Sequence, residues 1–189
     1  MRIACLFPGI GYTCDKPLLY YSWKLLQGMG WKIVPVPYSG FPAGVKGNPE
    51  KMRRCADMAL EQAEQILRDT DWQACDEILL IGKSIGTAVC AAYANRHGLR
   101  CRQILFTPVE DTFRFALGEA LVFHGTADPW AKTEIIEACC KKQNLPLYET
   151  EGANHSLETG DVDADLKEIR KVMRIVRDFV NAKKSSPAA

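Results

Sequence analysis

Hydrophobic residues along this chain follow two alternating patterns. Short and nearly continuous apolar runs, typical of parallel strands covered on both faces, predict strands over residues 2–7, 31–36, 77–81, 102–106, 120–123 and 145–150. Between them, apolar residues recur at helical spacing and predict helices over residues 16–29, 49–69, 84–97, 131–143 and 162–182. The alternation predicts an α/β fold: a doubly wound, about six-stranded parallel sheet flanked by helices.

Length and composition indicate one soluble globular domain. The chain has 189 residues, of which 47% are hydrophobic and 25% are charged, fractions that are ordinary for such a domain. We expect this domain to cover residues 1–182 and a flexible tail to cover residues 183–189. There is no signal-peptide pattern and no apolar run near the roughly 20 residues that span a bilayer. The predicted location is therefore cytoplasmic.

Charge and cysteine content argue against several classes of partner. A formal net charge of +1 at pH 7 provides no field that would attract nucleic acid or an anionic membrane. The eight cysteines lack Cys-x-x-Cys spacing and are expected to be free thiols in a reducing compartment. We expect no metal and no cofactor. Cys14 is either a packing residue or an oxidation-sensitive thiol, and the oligomeric state is not indicated.

The strongest chemical signal lies at residues 78–88. An apolar strand leads into Gly82-Lys83-Ser84-Ile85-Gly86, and a helical pattern of small residues follows directly. This is the form of a nucleophile elbow, a tight strand-to-helix turn that presents a serine hydroxyl. The glycines are expected because Ser84 is strained there and neighbouring side chains would collide. A Walker nucleotide loop is disfavoured because Glu77 stands where its upstream glycine belongs.

A nucleophilic serine needs a base, which must come from three histidines. His155 lies in a polar loop between the last predicted strand and helix, a place where catalytic groups are often presented. His97 ends a helix and is interpreted as structural. His124 ends a strand and is interpreted as packing or hydrogen-bonding in support of its loop.

The base needs an orienting carboxylate. Asp128 follows the fifth predicted strand, and we favour it as the acid. Glu110 and Asp111, after the fourth strand, are the other candidates. Asp128 is equally a residue type that caps a following helix.

Three motifs together resemble the α/β-hydrolase superfamily. They are Gly82-Lys83-Ser84-Ile85-Gly86, His124-Gly125-Thr126-Ala127-Asp128-Pro129 and Gly152-Ala153-Asn154-His155-Ser156. The chain is most similar to the small lid-less members allied to dienelactone hydrolase and short carboxylesterases, over residues 3–180. The order Ser84, Asp128, His155 is that of the superfamily's triad. The resemblance further implies a minimal fold that begins at the superfamily's third strand.

The resemblance also implies an oxyanion hole of two backbone N–H groups. One belongs to Ile85, directly after the nucleophile, and the other to Ile10 in Pro8-Gly9-Ile10-Gly11. Gly11 is the second choice, because Pro8 stands where the family often has histidine. The segment could instead be an ordinary glycine turn. Dienelactone hydrolase itself carries a cysteine at the position of Ser84, so the serine favours ordinary esterase chemistry.

These motifs predict a serine hydrolase that cleaves small ester or thioester substrates through an acyl-enzyme. A peptidase or acyltransferase with the same triad, or a non-catalytic binding protein on this fold, remains open. Residues 107–119 are too few for a lid, which predicts an open site that favours short esters. Candidate substrate-lining residues are Gly11, Lys83, Phe113 and Trp130. For Lys83 the alternatives are an anion-binding residue and a solvated surface lysine, and for Phe113 and Trp130 core packing is the alternative.

Overall fold

The computed structural model describes residues 1–45 and 48–182, so the predicted tail over residues 183–189 lies outside the described residues. The strands are β1 (Arg2–Phe7), β2 (Lys32–Pro35), β3 (Glu77–Lys83), β4 (Arg102–Phe106), β5 (Glu119–Gly125) and β6 (Leu147–Thr150). The helices are α1 (Pro17–Gly28), α2 (Pro49–Leu67), α3 (Ile85–Arg96), α4 (Thr133–Gln143) and α5 (Val162–Asn181). All the predicted strands and helices are present. The sequence analysis missed a short 3₁₀ helix, Glu110–Arg114, between β4 and β5.

The six strands form one sheet in the order β2-β1-β3-β4-β5-β6, and every neighbouring pair is parallel. Helices α1 and α5 cover one face, and α2, α3 and α4 cover the other. The predicted doubly wound α/β architecture is therefore confirmed. Within the described residues, no helix is both long and apolar enough to cross a membrane.

Strand composition follows from this double coverage. All six residues of β1 except the first are buried, since successive side chains enter opposite cores. Odd-numbered residues of β1 contact the α2–α3–α4 layer, and even-numbered ones contact the α1–α5 layer. A strand buried on both faces therefore reads as one apolar run.

The strand order places one crevice at the carboxyl edge of the sheet. The helix after β1 lies on one face, whereas the helix after the adjacent β3 lies on the other. Such a reversal leaves a gap between the two connections, which is where ligands bind in open α/β sheets. Ser84, directly after β3, sits at this reversal.

Candidate active site

Ser84 occupies a strained turn between β3 and α3. Its backbone has φ 56° and ψ −125°, a conformation that is costly for any residue with a side chain. A Cβ added to Gly82 would lie 2.6 Å from Thr87 Cα, and one added to Gly86 would lie 2.0 Å from the Phe7 carbonyl oxygen. Gly82 is therefore required by the turn itself, and Gly86 by the end of β1.

The three predicted triad side chains meet at this turn. Ser84 Oγ lies 2.7 Å from His155 Nε2, and His155 Nδ1 lies 2.6 Å from Asp128 Oδ2. Because the carboxylate accepts from Nδ1–H, Nε2 is left as the acceptor for the Ser84 hydroxyl proton. The Asp128 side chain is fully buried, and that of His155 is 16% exposed. The hydrogen-bonded chain thus runs from a buried carboxylate to a hydroxyl at the crevice.

Two hydrogen bonds between side chain and backbone hold the loops that carry Asp128 and His155. Asp128 Oδ1 accepts the Trp130 N–H at 2.8 Å, which leaves Oδ2 for the imidazole. Thr107 Oγ1, directly after β4, donates to the His155 carbonyl oxygen at 2.9 Å. Thr107 was not predicted from the sequence. Its position, a polar residue at the carboxyl end of a buried strand, could have indicated this role.

His124 packs behind the carboxylate. It is fully buried, and its Nε2 lies 3.0 Å from Thr133 Oγ1 at the start of α4. Its Nδ1 lies 4.0 Å from Asp128 Oδ2 and has no hydrogen-bond partner among the described residues. Burial lowers the pKa of His124, against the attraction of Asp128, so the contact is not an ion pair at neutral pH. This placement agrees with the predicted supporting role.

The position of Lys83 differs from what was expected from the sequence. It is only 1% exposed, so it is neither a solvated surface lysine nor a residue that lines the substrate site. Side chains alternate along β3, and residue 83 points into the α1–α5 layer, where its Nζ lies 4.8 Å from the Tyr12 ring centroid. Burial lowers the pKa of Lys83 to about 7, against the attraction of Asp128 and Glu158.

The imidazole is held in a basic but uncharged form. Burial lowers the pKa of His155, the hydrogen bond that its Nδ1–H donates to Asp128 raises this pKa, and the nearby positive charge of Lys83 lowers it. The balance lies below the usual value of 6.5. His155 is therefore unprotonated at neutral pH, as proton acceptance from Ser84 requires.

The glycine turn after β1 lies against Ser84. Gly9 and Tyr12 bond each other through both backbone pairs, at 3.0 and 3.3 Å, so Ile10 and Gly11 form the tip. A Cβ on Gly9 would lie 3.1 Å from Ser84 Cβ. Across the turn, the Ile85 N–H stands in the first turn of α3, where N–H groups have no intrahelical acceptor. Ile85 therefore directly follows the nucleophile, and Ile10 directly follows Gly9, the residue of the turn that lies against Ser84.

The remaining candidates divide between the site and the core. The Trp130 ring stacks on the His155 ring with centroids 5.5 Å apart, so it borders the site. Phe113 packs against the core on the α2–α3–α4 side. His97 bonds Glu64 Oε2 at 2.7 Å, in agreement with a structural role. Asp111 pairs with Arg114 at 3.4 Å, and the His155 imidazole uses Asp128 instead.

Comparison with known proteins supports the fold. No protein-family model and no curated protein matches the chain. An α/β serine hydrolase homologue from Coxiella burnetii superposes with a TM-score of 0.67 at 19% identity, covering 93% of this chain and 85% of that one. A lid-less α/β serine hydrolase from Xanthomonas campestris gives 0.64 at 16%, covering 96% and 84%. Est1E from Butyrivibrio proteoclasticus with bound ferulic acid gives 0.70 at 12%, covering 96% and 90%. The chain therefore has the α/β-hydrolase fold.

Proposed function

We propose that this protein is a serine hydrolase that cleaves small ester or thioester substrates. The observation that carries the proposal is the continuous hydrogen-bonded chain from Ser84 through His155 to Asp128, at 2.7 and 2.6 Å. A serine hydroxyl in a strained turn with an oriented imidazole is the arrangement that activates a nucleophile. The esterase and hydrolase neighbours of the same fold support this class of reaction.

Acylation proceeds by attack of Ser84 Oγ on the substrate carbonyl while His155 Nε2 takes the hydroxyl proton. Asp128 stabilises the imidazolium that forms. The N–H groups of Ile10 and Ile85 hold the developing oxyanion. The imidazolium then protonates the leaving alcohol or thiol. General-base assistance contributes about 10²–10⁴ in rate, and each oxyanion donor about 10²–10³.

Deacylation reverses the proton path. Water enters where the leaving group departed, His155 Nε2 takes its proton, and attack on the acyl carbonyl releases the acid and regenerates Ser84. Residues 107–119 contain only one short 3₁₀ helix, so this connection forms no lid over the site, and we expect water to enter from that side. The same openness supports a preference for small acyl groups over long chains.

The test combines covalent labelling with turnover. A fluorophosphonate probe reacts only with an activated serine, so we expect it to label the wild-type protein and not Ser84→Ala. Hydrolysis of ethyl acetate and a thioester analogue should fall in Ser84→Ala by about 10³-fold or more. Ser156→Ala is the matched control, since Ser156 follows His155 but its side chain makes no hydrogen bond among the described contacts. Labelling of Ser84→Ala, or wild type that neither reacts nor turns over, would refute the proposal.

A further inference from the structure

A cleft of about 380 Å³ opens beside the glycine turn, on the side of β2. Its walls are the turn at residues 8–11, the loop at residues 13–15, Trp23 in the middle of α1, and the end of β2 with the segment after it, which contributes Tyr38 and Phe41. Two other clefts, of about 400 and 650 Å³, lie at the opposite, amino edge of the sheet. Of these three clefts, the one beside the glycine turn lies at the same edge of the sheet as Ser84.

This cleft shares a wall with the nucleophile. Gly9 and Ile10 line it, and Gly9 is so near Ser84 that an added Cβ would lie 3.1 Å from Ser84 Cβ. The Trp130 ring, which stacks on His155, is not among the residues that line this cleft. A substituent of a carbonyl bound at Ser84 that extends past the glycine turn would enter the cleft.

The walls of the cleft suit a flat ring. The Tyr38 and Phe41 rings meet edge to face, with centroids 6.2 Å apart and planes at 61°, and Pro35 and Pro37 add rigid surface beside them. Aromatic rings prefer edge-to-face and offset neighbours. A third aromatic ring in the cleft can therefore pack edge to face or offset against these two rings, an interaction that a saturated ring does not make.

The charges of the cleft restrict the ring further. Asp15 is exposed and lines the cleft, and none of the described lining residues is cationic. Cys14 also lines it, and burial raises the pKa of this thiol to about 11, so it is uncharged. Lys83, the cation nearest the nucleophile in sequence, is buried on Tyr12 instead. A carboxylate on the ring would face Asp15 without compensation, and a hydroxyl could donate to it.

We propose that this cleft is a subsite for an uncharged aromatic ring of the substrate, so that the protein is selective for esters carrying an aryl group in the acyl or the alcohol part. This inference rests on the proposed function, because it assigns the substrate class of the Ser84 site. The cleft would bind the same aromatic ring whether the acyl part or the alcohol part of the ester carries it. Separate substrates with the ring in one part or the other distinguish these two cases.

The experiment compares flat and puckered rings of equal reactivity. Benzyl acetate against cyclohexylmethyl acetate tests the alcohol part, and methyl 3-phenylpropionate against methyl 3-cyclohexylpropionate tests the acyl part. We expect kcat/KM to favour the aryl member of one pair by about threefold to tenfold. Phe41→Ala should abolish that preference, so that the ratio of kcat/KM between the aryl and cyclohexyl members of the pair falls to about one. Tyr21→Ala, an exposed aromatic residue of α1 outside the cleft, should leave the preference intact.

A second variant tests the charge without disturbing the core, since Phe41 also packs against buried residues. Asp15→Asn, at an exposed position, should raise kcat/KM for 4-carboxybenzyl acetate relative to that for benzyl acetate by about threefold to tenfold.

The aryl subsite and the hydrolase activity are refuted by different results. Ser84-dependent hydrolysis with equal rates for both members of both pairs, or an aryl preference that survives Phe41→Ala, would overturn the subsite and leave the hydrolase standing. The subsite would also be overturned if Asp15→Asn did not change kcat/KM for 4-carboxybenzyl acetate relative to that for benzyl acetate. The proposed hydrolase function would be overturned if the wild-type protein were neither labelled by the probe nor active on any ester.

Discussion

Replacing Lys83 with methionine should stabilise the protein, and by an amount that depends on pH. Methionine is close to lysine in length and carries no charge, so Lys83→Met removes the buried ammonium with little change in packing. Lys83 is 1% exposed, and burial lowers the pKa of its ammonium from 10.5 to about 7. The folded protein therefore holds this proton less tightly than the unfolded chain does.

The magnitude follows from that difference in pKa. Between about pH 7 and pH 10.5 the unfolded chain binds more protons, so the free energy of unfolding of wild type rises with pH across this window. The lowering from 10.5 to about 7 corresponds to a cost of about 5 kcal/mol at pH 6 and about 2 kcal/mol at pH 9. Loss of the contact with the Tyr12 ring offsets about 1 kcal/mol of the gain.

Urea denaturation of both proteins at pH 6 and pH 9 measures the effect. We expect the advantage of Lys83→Met to shrink by about 3 kcal/mol between the two pH values. Cysteine ionisation affects both proteins alike and cancels in the difference. Lys171→Met, at an exposed position on α5, should change stability by less than about 0.5 kcal/mol at either pH. An advantage of Lys83→Met that is absent, or independent of pH, would refute the reasoning.

Three further predictions concern the pKa of His155, the turn that carries Ser84 and the openness of the site. Lys83→Met should raise the pKa of His155, because the nearby positive charge is lost, and should move the acid limb of the kcat/KM profile upward by about one pH unit or less; a profile that does not move contradicts this. Gly86→Ala should lose about 3 kcal/mol or more of stability, because its Cβ would lie 2.0 Å from the Phe7 carbonyl oxygen. Gly28→Ala, with no atom within 4 Å of its Cβ, is the denaturation control and should remain stable. Acetate and butyrate esters should turn over faster than palmitate esters in a chain-length series, and the reverse ranking would exclude an open site.

The sheet could be predicted from the sequence because its strands are buried on both faces. Such strands read as apolar runs whatever their order, and short right-handed crossovers then leave few topologies. The 3₁₀ helix Glu110–Arg114 was not predictable in the same way. It is held by tertiary contacts, including a 2.6 Å bond between Thr87 Oγ1 and Thr112 Oγ1, which leave no periodic pattern in the local sequence.

The site residues could be predicted from the sequence where the chain contains few residues of the required type. Three histidines and one Gly-x-Ser-x-Gly motif left a small number of combinations, and the structure brings Ser84, Asp128 and His155 together. Lys83 was misjudged because charge alone suggests solvent. The alternation of side chains along β3 decides that the Lys83 side chain points to the α1–α5 face of the sheet. Whether this face is covered at residue 83 depends on Tyr12, which is distant in sequence. The cleft beside the glycine turn is lined by the loop after β1, by α1 and by the segment at the end of β2. No local sequence motif therefore indicates it.

Lys83 links the fold to the chemistry. The turn fixes Ser84 at the end of β3, and side-chain alternation along the strand then directs residue 83 into the α1–α5 layer, where it contacts Tyr12. An apolar residue would satisfy that position with a gain in stability, so an ammonium there needs a reason beyond packing. Its effect on His155 supplies one, because a base with a lowered pKa stays unprotonated in more acidic solution. If this is why lysine stands there, Lys83→Met must gain stability and lose activity at low pH in the same protein. A gain in stability with an unchanged pH profile would mean that the buried charge does not serve the triad.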